Sequence, residues 1–159
     1  MSYLLVKWIH ILSATVLVGV GFGTAFYKWM SDRSRDVSTI ANVSHFVVVA
    51  DWVFTTPAII LQLATGLWLA THAGYPLSTG WVAYALVLYL LAGSCWLPVL
   101  FLQYRMRSLA HDARAKGEGL GPEYFRYARF WFWLGVIAFS AMVVVYWLMV
   151  TKPALYGSQ

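Results

Sequence analysis

The sequence predicts an all-α protein, a four-helix transmembrane bundle with both termini on the outer, periplasmic side. Three observations predict it. A chain of 159 residues that is 61% hydrophobic and 11% charged, with a mean hydropathy of +0.68, has too little polar surface to cover a water-soluble globule. Four apolar runs, each at least as long as the roughly 20 residues that a spanning helix needs, alternate with polar, turn-rich connections. The basic residues, finally, sort to one side of those runs.

The first span runs from about Tyr3 to Trp29, the second from His45 to Thr71, the third from Trp81 to Leu102 and the fourth from Phe130 to Val150. All belong to a single membrane domain over 1–159, without an internal repeat. The connections are Met30 to Ser44, His72 to Gly80 and Gln103 to Arg129. Within the last, Arg105 to Glu123 reads as an extension of the third helix followed by a turn at Gly117, Gly119 and Gly121. Lys28, Arg33 and Arg35 mark the first connection, and Arg105, Arg107, Arg114, Lys116, Arg126 and Arg129 mark the third, nine of the 11 basic residues. Only Lys7 and Lys152 lie on the other side. The positive-inside rule therefore puts the two basic connections in the cytoplasm of a multi-pass protein of the bacterial inner membrane. The first segment is too long for a signal-peptide core and has its basic cluster after the apolar run, so it is retained as a helix.

The same distribution explains the net charge of +5 as a topology signal directed at anionic lipid headgroups, not a nucleic-acid patch. Cys95 is the only cysteine, which excludes disulfides and CxxC metal motifs. Gly19-Val20-Gly21-Phe22-Gly23 lies inside an apolar run with no preceding strand, so it is not a phosphate loop. Six of the tryptophans, Trp8, Trp29, Trp68, Trp81, Trp131 and Trp147, fall near span ends and suit an aromatic belt. Trp52, Trp96 and Trp133 are set deeper, where they could pack against a flat ligand or another helix.

Ionisable side chains in hydrocarbon are expensive and therefore informative. His10 lies about two turns inside the first span, and its stripe continues through Ala14, Leu17 and Gly21, with Gly19 and Gly23 close by. One reading is an axial haem ligand above a groove of small residues that admits a planar macrocycle. The other is a histidine bonded to a neighbouring helix, with Gly19-x-x-x-Gly23 as a packing or oligomerisation motif. In the second span Asp51, Thr55, Ala58, Gln62, Thr65, Leu69 and His72 share one face, blurred by a bend at Pro57. Asp51 is expected to pair with Arg105, Arg126 or Arg129, a proton relay being the alternative. His72 ends its span on the same side as His10 and is a candidate second iron ligand. His45 and His111 belong elsewhere. Lys7 and Lys152 make the His10 side electropositive, which suits propionates, an anionic quinol or superoxide, and equally ordinary snorkelling at span ends.

Lys7-Trp8-Ile9-His10-Ile11-Leu12, Thr56-Pro57-Ala58 leading to Thr65-Gly66-Leu67-Trp68, Gly80-Trp81 and Val150-Thr151-Lys152-Pro153 resemble, in order and spacing, the four-helix HemJ-type protoporphyrinogen IX oxidases. As a whole the chain is more similar to a family of bacterial integral membrane proteins of unknown function, through Ala50-Asp51-Trp52-Val53-Phe54-Thr55-Thr56-Pro57, Tyr75-Pro76-Leu77-Ser78 and Trp96-Leu97-Pro98. The first resemblance implies haem b ligated by His10. Two of its motifs are replaced here, a third-span lysine by Val82-Ala83-Tyr84 and an acidic motif by Phe130-Trp131-Phe132-Trp133, so haem binding carries over better than oxidase chemistry. The sequence thus predicts a haem-binding membrane protein in electron transfer, or a small oxidoreductase of the porphyrinogen, quinol or superoxide class. His10, His72, Gly21, Ala14, Lys7 and Lys152 would surround the cofactor, with a quinone or another small redox partner. The alternative is a cofactor-free subunit, scaffold or transport component that acts as a homo-oligomer or within a larger complex.

Overall fold

The computed structural model describes residues 2–78 and 80–153. Four helices, α1 (Tyr3–Ser34), α2 (Val37–His72), α3 (Gly80–Lys116) and α4 (Pro122–Thr151), are each long and apolar enough to cross a membrane. At 1.5 Å per residue the 32 residues of α1 extend about 48 Å, well beyond a hydrocarbon core of about 30 Å. The surplus explains a difference from the sequence expectation. Most of Met30–Ser44 is helical, because Ile40, Ala41 and Ser44 continue a helical spacing and are buried, whereas beyond Leu102 the third helix continues to Lys116 as the sequence predicts, with Met106 and Ala110 buried. Hydropathy marks where the chain leaves hydrocarbon, not where the helix stops.

Only Arg35 and Asp36 separate α1 from α2. Arg35 takes the left-handed conformation (φ 55°) that closes α1. Asp36 caps α2, its Oδ2 accepting the Thr39 N–H at 2.8 Å, and the Thr39 hydroxyl together with that N–H holds its carboxyl below the usual carboxylate range. At the end of α3, Gly117 adopts φ 66°, and Gly121 and Pro122 begin α4. This is the glycine turn that the sequence predicts.

The bend at Pro57 takes the form of a π-helical turn over Asp51–Thr55. A proline lacks the N–H of the helical ladder and its ring crowds the carbonyl four residues earlier. Widening the preceding turn by one residue relieves that crowding, and the Thr56 N–H donates to the Asp51 carbonyl five residues back.

α3 and α4 pair along their length through Met106 and Tyr124 at the basic end, Ala92 and Ala141 midway, and Ala85 and Val145 near the termini. Small residues at these contacts let the backbones approach closely, as membrane helices require in the absence of a hydrophobic drive between them. α1 lies against the Thr56–His72 half of α2 and meets α4 at few points. The bundle is therefore closed at the basic end by Ile40, Met106, Ala110 and Tyr124, all fully buried, and loosely filled toward the termini.

Candidate functional site

Two cavities occupy the loosely filled part. The one nearer the termini, about 520 Å³, is lined by Lys7, His10 and Ala14 of α1, by Gln62 and Gly66 of α2, and by Tyr75, Trp81 and Lys152. His10 is fixed on its wall by α2. Ser13 Oγ donates to Gln62 Oε1 at 2.7 Å, which turns the Gln62 amide toward His10, and Gln62 Nε2 lies 3.1 Å from His10 Nε2. On the other ring nitrogen, Nδ1 is 2.8 Å from Thr65 Oγ1, whose own proton goes to the Leu61 carbonyl at 2.5 Å. The consistent assignment has Nδ1–H donating to Thr65 and Nε2 accepting from Gln62. Gly66 makes this possible, since a Cβ there would lie 3.1 Å from His10 Cε1. The imidazole is seated against bare backbone and held through both ring nitrogens.

Around this seat the cavity is electropositive. Lys7 and Lys152 line it, no acidic side chain is among its described lining residues, and Lys152 Nζ stands 5.7 Å from the centre of the Tyr75 ring. Of the six residues expected around a cofactor, the structure thus brings together His10, Ala14, Lys7 and Lys152. Two lie elsewhere. His72 is exposed, stacked on Trp68 with ring centres 3.6 Å apart, and its Nδ1 is 3.0 Å from the Trp68 carbonyl. Gly21 lines the second cavity, of about 410 Å³, deeper in the bundle. Tyr89 stands on the walls of both, its hydroxyl donating to the Ile59 carbonyl at 2.7 Å.

The family model of a predicted integral membrane protein, DUF2269, matches residues 4–153. The chain belongs to the DUF2269 family. No curated protein and no solved structure matches it.

In this DUF2269 member the second-span stripe faces the interior over Asp51, Thr55, Ala58 and Gln62, all buried, but not at its end, where His72 is exposed. The expected partner of Asp51 is different. Arg105 pairs instead with Glu123, at 3.5 Å, while Asp51 accepts the Thr55 hydroxyl at 2.8 Å and has the Gln103 side chain beside it. Arginines near the headgroups reach exposed carboxylates more cheaply than a carboxylate lodged between helices. His45 and His111 meet each other at the basic end, 6.4 Å between ring centres, away from His10.

Sequence reasoning counts Lys28 among the basic residues that mark the first connection, yet it is 1% exposed. Its Nζ donates to the Tyr124 hydroxyl and to Asp32 Oδ1 at 2.5 Å, and Tyr124 donates to the same carboxylate oxygen at 2.6 Å. The Lys28–Asp32 spacing of i, i+4 is the one signal that could have found this pair. Tyr124, 92 residues from Asp32, carries none.

Proposed function

We propose that the protein binds haem b through His10 in the cavity near its termini, and serves electron transfer or the oxidation of a small reductant of the porphyrinogen, quinol or superoxide class. The observation that supports this reading best is the seat of His10. An imidazole whose Nδ1–H is fixed by a hydrogen-bonding neighbour presents Nε2 in a set direction, which is how proteins orient a metal-ligating histidine. Here Thr65 does the fixing and Gly66 the positioning, while the cavity beside the ring is lined mainly by apolar and aromatic groups.

The residues present fit the group. His10 Nε2 would hold the iron once the Gln62 side chain swings aside, and Lys7 and Lys152 would meet the propionates. Haem would supply one-electron chemistry when bound. Tyr75 and Trp81 add aromatic surface to the cavity wall, and the two lysines favour anionic reactants. His72 is outside the cavity, so this reading uses His10 alone. The resemblance to HemJ-type oxidases supports it through the same histidine. By the positive-inside rule the site lies toward the outer face of a bacterial inner membrane, with both termini on that side.

An oxidised-minus-reduced visible spectrum of the protein, purified from cells supplied with a haem precursor, tests the reading. Wild type should show b-type Soret and α bands that His10→Ala loses while remaining membrane-inserted. Bands that survive the substitution refute it.

A second reading has its own observation: both ring nitrogens of His10 are already bonded to protein groups, so the ring can serve simply to join α1 to α2. Gly19 and Gly23, with nothing within 4 Å of an added Cβ, would then offer a face to a second copy or a larger membrane complex. A colourless, folded wild type that copurifies with other membrane subunits would support it.

A further inference from the structure

Toward the basic end, α1 and α4 present two matching stripes of side chains on the same side of the bundle. On α1 the stripe is Phe22, Phe26, Trp29 and Arg33; on α4 it is Phe125, Arg129, Phe132 and Phe139, with successive members within about 60° of one another on an ideal helix. Two contacts set the stripes opposite each other. The rings of Phe22 and Phe139 touch, 5.6 Å apart between centres, and the guanidinium of Arg35, in the turn that ends α1, stands 5.9 Å from the centre of the Phe125 ring. Between those contacts Phe26, Trp29, Phe132 and Val136 line the cavity of about 410 Å³ and are still 39–48% exposed. The two helices therefore leave an apolar groove open to the bilayer.

Arginines at its end select the occupant. Arg33 lies over Trp29, 4.9 Å from the ring centre, and Arg129 is one turn from both Phe125 and Phe132. Arg33, Arg35 and Arg129 are all exposed. The nearby carboxylates are engaged elsewhere: Asp32 with Lys28 and Tyr124, Glu123 with Arg105 and Tyr127, and Asp36 with the first turn of α2. A guanidinium stacked on a ring uses its face there and keeps its N–H edge for a phosphate. From Phe22 to Arg33 the helix rises about 16 Å, close to half of a hydrocarbon core of about 30 Å, which is the depth of one leaflet.

We propose that this groove holds one anionic phospholipid from the leaflet at the basic end, its phosphate among Arg33, Arg35 and Arg129 and one acyl chain along Phe26, Trp29 and Phe132. Charge complementarity carries the choice. A neutral lipid or a sterol would leave three cations without an anion, and a free phosphate would leave the groove unfilled. The proposal is independent of haem at His10.

The test is native mass spectrometry of the full chain, released from dodecylmaltoside micelles after titration with dioleoylphosphatidylglycerol or dioleoylphosphatidylcholine. Wild type should take up one phosphatidylglycerol saturably, with an apparent Kd more than about tenfold below that for phosphatidylcholine. Arg33→Gln and Arg129→Gln should each raise it about fivefold. Arg114→Gln removes a charge at the same end but on the α2 side, where Arg114 donates to Asn42, and should leave the Kd within about twofold, as should His10→Ala. Gly135→Trp, which fills the groove and keeps every arginine, should raise it by more than about fivefold. If that variant fails to fold by circular dichroism, dihexanoylphosphatidylglycerol replaces it, and should bind wild type more weakly than the dioleoyl lipid by a similar factor. An Arg114→Gln effect equal to that of Arg33→Gln is diffuse attraction, and phosphatidylcholine bound as tightly as phosphatidylglycerol is a groove without selection; either overturns the proposal. So does displacement of the lipid by an equal concentration of glycerol 3-phosphate, which would mark a site for a soluble anion.

Discussion

Removing Asp32 should damage this bundle far more than removing Lys28, although the two form one ion pair. Lys28 is 1% exposed and Asp32 18%, so the pair is buried at its cationic end. In Asp32→Asn the ammonium remains enclosed among neutral oxygens only, with no opposite charge beside it, and an uncompensated buried charge typically costs about 3–5 kcal/mol. Lys28→Met keeps the side-chain volume and takes the charge away. Asp32 then still accepts from Tyr124 at 2.6 Å and reaches solvent, so the expected loss is about 1–2 kcal/mol. The double variant Lys28→Met/Asp32→Asn should resemble Lys28→Met by itself, a coupling as large as the whole Asp32→Asn effect, about 3–5 kcal/mol, between neighbours sharing one network. Equilibrium unfolding in mixed dodecylmaltoside and sodium dodecyl sulfate micelles, followed by near-ultraviolet circular dichroism, measures all three. If the two single effects are equal, or if they simply add in the double variant, the buried triad is not what joins α1 to α4.

Gly66→Leu should drive the imidazole of His10 off its seat, because a Cβ alone would stand 3.1 Å from Cε1; b-type bands should broaden or vanish, and bands identical to wild type would contradict this geometry. Gln62→Leu should retain those bands, since it frees Nε2 while Thr65 still holds Nδ1; their loss would make Gln62 part of the haem-binding arrangement. The cap at Asp36 has a pKa lowered from the ordinary 3.8, so its contribution is present above that value and fades as pH falls through the lower folded value. The thermal stability gap between wild type and Asp36→Ala should accordingly be constant near neutrality and close in strong acid, whereas a gap independent of pH would deny the charge a role.

The four spans are legible because apolar runs of that length have few other fates, and the inward stripe of α2 is legible because helical spacing fixes which residues share a face. Helix ends are less so. Ile40 and Ser44 carry α2 back among polar neighbours that lower any averaged hydropathy, whereas the extension of α3 past Arg105 is legible. His10 stands out in the sequence as a polar residue in hydrocarbon, but its partners Gln62 and Thr65 become a clamp only through the register of α1 against α2, and nothing local records a register. Lys28 misleads for the opposite reason. A lysine at the edge of an apolar run reads as a headgroup contact, and only the later docking of Tyr124 encloses it. His72 shares its side of the membrane with His10, and sharing a level is weaker than sharing a cavity.

The π-turn over Asp51–Thr55 divides what would otherwise be a single polar seam. On an uninterrupted helix Asp51 and Gln62, eleven positions apart, would point within about 20° of one another. The extra residue absorbed by the wide turn swings Asp51 off that line, and Asp51 lines the inner cavity while Gln62 lines the His10 cavity. One inserted amino acid thus acts as a partition, giving two chambers separate chemistry from the same strip of sequence. Deleting a residue within that turn would straighten the helix at little cost in packing, and would merge into one address two sets of groups that the fold keeps apart.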